Sequence, residues 1–295
     1  MSNGSTKERV GIVGVGRMGL AMLKHLLRHG HAVTACDIDE AQLAKARDAG
    51  AATVKTPAEV ARAAGFVIVG VGYDDEVNQV VLGPDGLLAA LASEASGQRG
   101  DSIVRALAPG SVIAVSSTAK PDTVKALDQR ARAQGVDVLD APTCRGRFAA
   151  DAGTLLALVG GRPEVVERGR TVYRAFCSDY AHLGEVGHGQ VGKTMNNLLL
   201  WINAVGLLEA GRLAETTGID LAKLRDALLT SSGASDALKE WDMISFTWAL
   251  KDMQIVGDLT DKAGLSLPIT GAIKELVKDA RRIKATNAPK WTGSR

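Results

Sequence analysis

The chain has 295 residues, 46% of them apolar and 23% charged, an ordinary globular composition long enough to bury one large core or two moderate ones. A formal net charge of +2 gives no reason to expect nucleic acid or a membrane surface as partner. Cys36, Cys144 and Cys177 lie far apart without a CxxC pair, so neither a disulfide framework nor a metal site is expected.

The start, Met1 to Glu8, is polar and lacks an apolar signal core. Val10 to Gly14 reads as a short strand, followed by Gly14-Val-Gly16-Arg17-Met18-Gly19 and a helix over Leu20 to His29. A second strand, His31 to Cys36, ends on Asp37. In this strand–turn–helix–strand context the glycines allow a tight turn, close approach of a pyrophosphate and close helix–strand packing. The pyrophosphate is then expected on the helix N-terminus, against Gly14, Gly16, Arg17, Met18 and Gly19. Asp37 can accept from the ribose hydroxyls and would repel a 2′-phosphate; Ile38, Asp39 and Glu40 follow it with no arginine, so NAD is expected over NADP.

The alternation continues with a strand over Phe66 to Val71, a helix over Glu76 to Leu82 and a turn at Gly83 to Gly86. Ala92 to Asp101 is polar and rich in small residues, and reads as a surface excursion. Val112 to Val115 is another strand, ending at Ser116-Ser117-Thr118, with Pro121 entering the next helix. Ligands of such sheets collect beyond the carboxyl ends of the strands, which places Val71 to Asp74 and Ser117-Thr118 beside the nicotinamide half. Strand-end turns and an N-cap explain the same residues without a ligand. Val136 to Leu139 is a strand, Asp140 to Arg147 an irregular basic loop, and Thr154 to Val159 a further strand.

His188 to Glu215 reads as one helix of roughly 28 residues, about 40 Å long at 1.5 Å per residue. It is apolar on nearly every side and is therefore expected to be buried on nearly every side. Among its polar residues, Lys193 lies three from Asn196 and four from Asn197, so the three share one face. An amine in the first turn has its ammonium form destabilised by the helix dipole, the environment that proton transfer near neutral pH requires. The alternative is a lysine snorkelling to solvent beside two packed amides. Helices over Leu221 to Thr230, Ala237 to Phe246, Trp248 to Ala263 and Ile269 to Ile283 follow, then an irregular end. The expected architecture is α/β: a doubly wound Rossmann domain over 1–184, then an all-helical domain over 185–295. Asn203 and Gly206 interrupt the longest apolar run, so no membrane span and a cytoplasmic location are expected.

With these residues placed, the chain resembles the β-hydroxyacid dehydrogenase family. That family includes 3-hydroxyisobutyrate dehydrogenase, tartronate semialdehyde reductase, sulfolactaldehyde reductase and, more distantly, 6-phosphogluconate dehydrogenase. Five blocks in order carry the resemblance: the glycine fingerprint, Ser116-Ser117-Thr118 with Pro121, Asp140-Ala141-Pro142 through Gly153-Thr154, Gly187 through Lys193 to Asn197, and Lys251-Asp252. The resemblance implies that Lys193 is the catalytic acid/base and that Asn197 helps hold the substrate oxygen. It further implies Thr118 and Lys251 at the nicotinamide end, and Asn196 or the Cys144 loop, which holds Thr143 and Arg145, against substrate. Val71 at the cofactor and Ser117 beside the substrate are expected from their strand ends. Lys251 is otherwise a helix-surface lysine. The implied activity is an NAD-dependent exchange of hydride with a small 3-hydroxy acid or its semialdehyde.

Two departures from the family pattern stand out. Where the substrate loop commonly reads Asp-Ala-Pro-Val-Ser-Gly-Gly, this chain has Asp140-Ala-Pro-Thr143-Cys144-Arg145-Gly146. The serine donor is replaced by a poorer one, Cys144. Arg145 adds a planar fork suited to an anionic group, so an anionic substrate is expected. The alternative is an arginine that pairs with Asp151 or solvates the loop. The second departure is the length of the 92–101 segment. Imine reduction on the same scaffold is a competing reading, disfavoured because such relatives usually lack a lysine at the position of Lys193; a non-catalytic NAD-binding protein is another, disfavoured by Lys193 with Asn197. Apolar residues in the helical half, Trp241 and Trp248 among them, suggest a homodimer or homotetramer, although both tryptophans can equally be core.

Overall fold

The computed structural model describes residues 7–91 and 104–293. The expected surface excursion at 92–101 lies outside the described residues. Two compact units divide inside the long helix, one up to Lys193 and one from Thr194.

The first unit is an alternation of strands and helices. In chain order it holds β1 (Val10–Val13), α1 (Arg17–Arg28), β2 (Val33–Cys36), α2 (Glu40–Asp48), β3 (Ala52–Thr53), α3 (Pro57–Ala63), β4 (Phe66–Val69) and α4 (Asp74–Leu82). A short antiparallel pair, β5 (Ala90–Leu91) with β6 (Val104–Arg105), comes next. There follow β7 (Val112–Val115), α5 (Pro121–Arg132), β8 (Asp137–Asp140), β9 (Thr143–Cys144), α6 (Gly146–Ala152), β10 (Leu155–Gly160), α7 (Pro163–Tyr173) and β11 (Cys177–Gly184). The main sheet runs β11-β10-β8-β7-β4-β1-β2-β3, with β9 added antiparallel to β10. Its centre is parallel and in register, Val10 facing both Val33 and Phe66.

Residue parity explains why the central strands are apolar throughout. Ile12, Ile68 and Ala114 point into one core, while Val13, Val67, Val69 and Ile113 point into the other. A parallel sheet covered on both faces has no solvated side on which to place polar residues. That also explains why β1, β4 and β7 were readable from composition alone.

The second unit is helical. It contains the remainder of α8 (His188–Glu215), α9 (Leu221–Leu228), α10 (Asp236–Lys239), a 3₁₀ turn (Trp241–Met243), α11 (Ala249–Ala263) and α12 (Pro268–Thr286). Its core gathers Trp201, Leu208, Leu238, Trp241, Phe246, Met253, Val277 and Trp291.

Several expectations are corrected. The helix expected over Ala237 to Phe246 is broken: Glu240 leaves helical geometry and Phe246 takes a φ of 56°. The indole of Trp241 meanwhile sinks into the core and donates to the Pro289 carbonyl at 3.0 Å. The long helix is not buried on nearly every side, since Leu199 is 61% and Leu213 70% exposed. Of the two tryptophans left open between surface and core, Trp241 is core and Trp248 is exposed. The loop expected over Asp140 to Arg147 contains β9 and the start of α6. Among the described residues no helix is long and apolar enough to cross a membrane.

Candidate active site

The glycine loop after β1 has the shape its composition requires. Gly14 has a φ of 92°, and a Cβ there would lie 2.5 Å from the Gly70 carbonyl oxygen. At Gly19 a Cβ would collide with the Gly14 carbonyl oxygen, so α1 could not pack this closely on the loop. At Gly16 the situation is opposite: nothing lies within 4 Å of where a Cβ would be. Two glycines thus fold the turn and the third leaves its face open at the start of α1, whose first N–H groups have no partner one turn back. This is a cradle of the kind a pyrophosphate fills. Asp37, at the end of β2, accepts from Val15 N at 2.7 Å through one oxygen and from Asp39 N at 2.9 Å through the other. The carboxylate is therefore held against the same loop. Arg17 pairs with Asp151 of α6, and Met18 is half-buried against the sheet core.

The next two strand ends are tied together. The Ser117 hydroxyl is buried, accepts from Val71 N at 2.9 Å and reaches Val69 O at 3.4 Å. Thr118 follows, half-buried. Ser116 meets the Tyr173 hydroxyl at 2.6 Å, and burial raises the Tyr173 phenol well above its ordinary range.

Beyond β8 the backbone is arranged around one buried carboxylate. Asp140 is fully buried and accepts from Gly187 N at 3.0 Å and Gln190 N at 2.8 Å. It thereby satisfies N–H groups at the start of α8 that the helix itself cannot. Burial raises its carboxyl above the ordinary range, and the N–H groups of Gln190 and Gly187 pull it back. The Gln190 side chain, also fully buried, accepts from Ala119 N at 3.0 Å and donates to Ser117 O at 2.9 Å.

Lys193 comes three residues later, half-buried, with its Nζ donating to Thr143 O at 2.8 Å and standing 3.7 Å from Cys144 Sγ. Thr143, Cys144 and Lys193 are thus brought together. Because α8 starts at His188, Lys193 sits in the second turn rather than the first, where the dipole's influence has largely fallen away. Arg145, at the N-cap of α6 with a φ of 80°, pairs with Asp179, while Asp151 pairs with Arg17. Its Nη1 meets Asp179 at 2.6 Å, Ser178 Oγ at 2.9 Å and Thr154 O at 3.1 Å. The guanidinium in turn holds the Asp179 carboxyl below the ordinary range.

In the helical unit, Asn197 is 6% exposed, whereas Asn196 is exposed and donates to Asn197 Oδ1 at 3.1 Å. The two amides point about 100° apart around the helix, so neighbouring positions differ in burial. Lys251 lies in α11, half-buried, 5.8 Å from the Trp248 ring centre. Its neighbour Asp252 is buried and accepts from the Trp201 indole at 2.9 Å. Sequence reasoning missed Gln190, and gave Asp140 no role beyond its motif. An amide three residues before Lys193, inside a run of glycines, was the available signal. Among the described residues no group of three or more His, Cys, Asp or Glu is placed to hold a metal ion.

Comparison with known proteins gives a consistent result. Residues 9–187 match the family described as the NAD binding domain of 6-phosphogluconate dehydrogenase. Residues 187–288 match the family described as the NAD-binding of NADP-dependent 3-hydroxyisobutyrate dehydrogenase. The chain is 30% identical over 235 residues to the NAD-dependent L-serine dehydrogenase of Pseudomonas aeruginosa, covering 80% of this chain and 74% of that protein. It is 32% identical over 229 residues to the 3-hydroxyisobutyrate dehydrogenase of the same organism, covering 78% and 72%. The solved structure of a Mycobacterium tuberculosis 3-hydroxyisobutyrate dehydrogenase with L-serine superposes with a TM-score of 0.79 at 23% identity, covering 96% of both chains.

Proposed function

The chain belongs to the β-hydroxyacid dehydrogenase family, and from that premise we propose that it moves a hydride between NAD and a small, carboxylate-bearing 3-hydroxy acid or its semialdehyde. It is an NAD-dependent dehydrogenase acting on a hydroxyl group. The observation that carries the proton-transfer part of this reading is Lys193 anchored on Thr143 O at 2.8 Å.

The nicotinamide cofactor supplies or accepts the hydride when bound. Lys193 handles the proton. As an ammonium it has three N–H groups; Thr143 O takes one, Cys144 Sγ is a weak partner for a second, and a third serves a substrate oxygen. In the reducing direction Lys193 donates that proton to the carbonyl oxygen as the hydride arrives at carbon, and the product is an alcohol. In the oxidising direction the neutral amine takes the hydroxyl proton as the hydride leaves. Asn197, one turn further along α8, is assigned to the same substrate oxygen by the family pattern, where an amide N–H stabilises the developing alkoxide. The same pattern assigns Thr118 and Lys251 to the cofactor and Asn196 or the Cys144 loop to substrate. Val71 joins the cofactor group from its place at a strand end, and Arg145 the substrate group from its chemistry. Gly14, Gly16, Arg17, Met18 and Gly19 would hold the pyrophosphate, and Asp37 the ribose.

L-Serine and 3-hydroxyisobutyrate, named for the two relatives, both carry a hydroxyl on the carbon next but one to a carboxylate. The anionic 3-hydroxy acid reading rests on that shared chemistry and on the cation at Arg145. NADH absorbance followed with a panel of 3-hydroxy acids, semialdehydes, neutral alcohols and imines tests it. Turnover confined to carboxylate-bearing substrates supports it; preference for imines or for neutral alcohols contradicts it.

A further inference from the structure

A buried amide links the strand-end loop to the helix that carries Lys193. Gln190 has no exposed surface, and its side chain brackets Thr118: Oε1 accepts from Ala119 N at 3.0 Å while Nε2 donates to Ser117 O at 2.9 Å. Only one orientation of the amide satisfies both neighbours, since a backbone N–H needs an acceptor and a carbonyl needs a donor. The backbone of Gln190 is fixed independently, its N–H bound by the buried Asp140 carboxylate at 2.8 Å. Lys193 stands three residues on, along the same side of the helix. Both ends of the connection are therefore rigid, and the loop can move relative to Lys193 only by breaking buried hydrogen bonds.

We propose that Gln190 is a positioning residue: it sets the distance between the loop holding Thr118 and the amine of Lys193. This rests on the reading of Lys193 as the proton carrier and extends it to a residue that itself touches no reacting atom. Hydride transfer and proton transfer occur at the two ends of one carbonyl bond. The group that seats the nicotinamide and the group that delivers the proton must consequently keep a fixed separation. A displacement of about 1 Å at such a site costs on the order of a hundredfold in rate.

Two variants and two readouts test it. Gln190→Ala removes both side-chain bonds. Gln190→Glu keeps the shape and the acceptor for Ala119 N but loses the donor to Ser117 O, and it guards against a cavity effect. Gln190→Ala should lower kcat about ten- to a hundredfold while the Kd for NADH, followed by fluorescence titration, stays within about twofold. Gln190→Glu should fall between it and wild type. The Ala119 amide should exchange its hydrogen at least about tenfold faster in Gln190→Ala. A kcat within twofold of wild type, a kcat loss matched by equal loss of NADH affinity, or unchanged protection at Ala119 would each overturn the assignment. Should the wild-type protein turn over none of the substrates in the panel, the proposed function fails, and exchange at Ala119 alone decides whether Gln190 holds the loop.

Discussion

Lys193 and Thr143 lie 50 residues apart in sequence, and the Lys193 ammonium donates to the Thr143 carbonyl oxygen at 2.8 Å. This bond fixes the amine of the long helix over the short strand that carries Cys144. The strand in turn pairs with β10, Leu156 opposite Cys144 and Ala157 opposite Thr143. A flexible side chain with about 2 kcal/mol of rotamer entropy is thereby given one position before any substrate binds.

Asp37 is predicted to govern cofactor choice for two reasons that the structure joins. Its carboxylate would repel a 2′-phosphate, and it also braces the glycine loop through Val15 N at 2.7 Å. Asp37→Ser should raise the Kd for NAD by about tenfold, the scale of one hydrogen bond to a charged group. It should also shift the NAD/NADP preference towards NADP. Steady-state kinetics with both cofactors checks this; an unaltered ratio contradicts it.

Arg145 is predicted to read the substrate anion more weakly than an unpaired arginine would, because Asp179 shares its Nη1. Arg145→Ala should raise KM for an anionic substrate about three- to tenfold and leave its neutral ester unchanged. Asp179→Asn should do the reverse and lower KM for the anion. Equal effects on acid and ester would assign Arg145 to holding the loop alone.

Two thiols are predicted to be inert. Burial pushes Cys36 up to about 11 and Cys177 up to about 12, so at pH 8 the thiolate fractions are about a thousandth and a ten-thousandth. Neither should react with a disulfide reagent in the native protein, and both should react once it is unfolded. Mass-mapped labelling at pH 8 gives the answer; modification of Cys177 in the folded state would contradict it.

The centre of the first unit was legible because its strands β1, β4 and β7 are buried on both faces and so are apolar throughout. The glycine fingerprint was legible too, because three glycines spaced between a strand and a helix are a local pattern, although the close neighbour of Gly14 is Gly70, far off in sequence. What stayed hidden depends on long-range partners. Asp140 takes its role from a helix end 47 residues later and Gln190 from a loop 73 residues earlier, so neither role leaves a local trace. The α6 helix was missed because it has seven residues and is entered by an arginine with a φ of 80°, a conformation that sequence assigns to glycine. The break after α10 has the same origin. The core pulls Trp241 inward, and helix propensity is too small to resist burial of an indole.

Trp291 is predicted to hold the helical unit together. It is fully buried, and its indole donates to the Leu207 carbonyl at 3.1 Å. Trp291→Ala should cost about 3–5 kcal/mol. Trp291→Phe, which keeps most of the apolar volume, should cost about 1 kcal/mol for the lost bond. Denaturant unfolding monitored by circular dichroism measures both. An alanine variant within 1 kcal/mol of wild type would contradict the packing described for this core.

The proposal that Lys193 carries the proton is tested most directly by single-turnover and steady-state kinetics of Lys193→Ala, with NADH affinity measured on the same preparation. The account predicts a kcat lower by about two to four orders of magnitude, the usual scale for a lost general acid/base, and a Kd for NADH within about twofold of wild type. A variant that keeps more than a tenth of the wild-type kcat would contradict it.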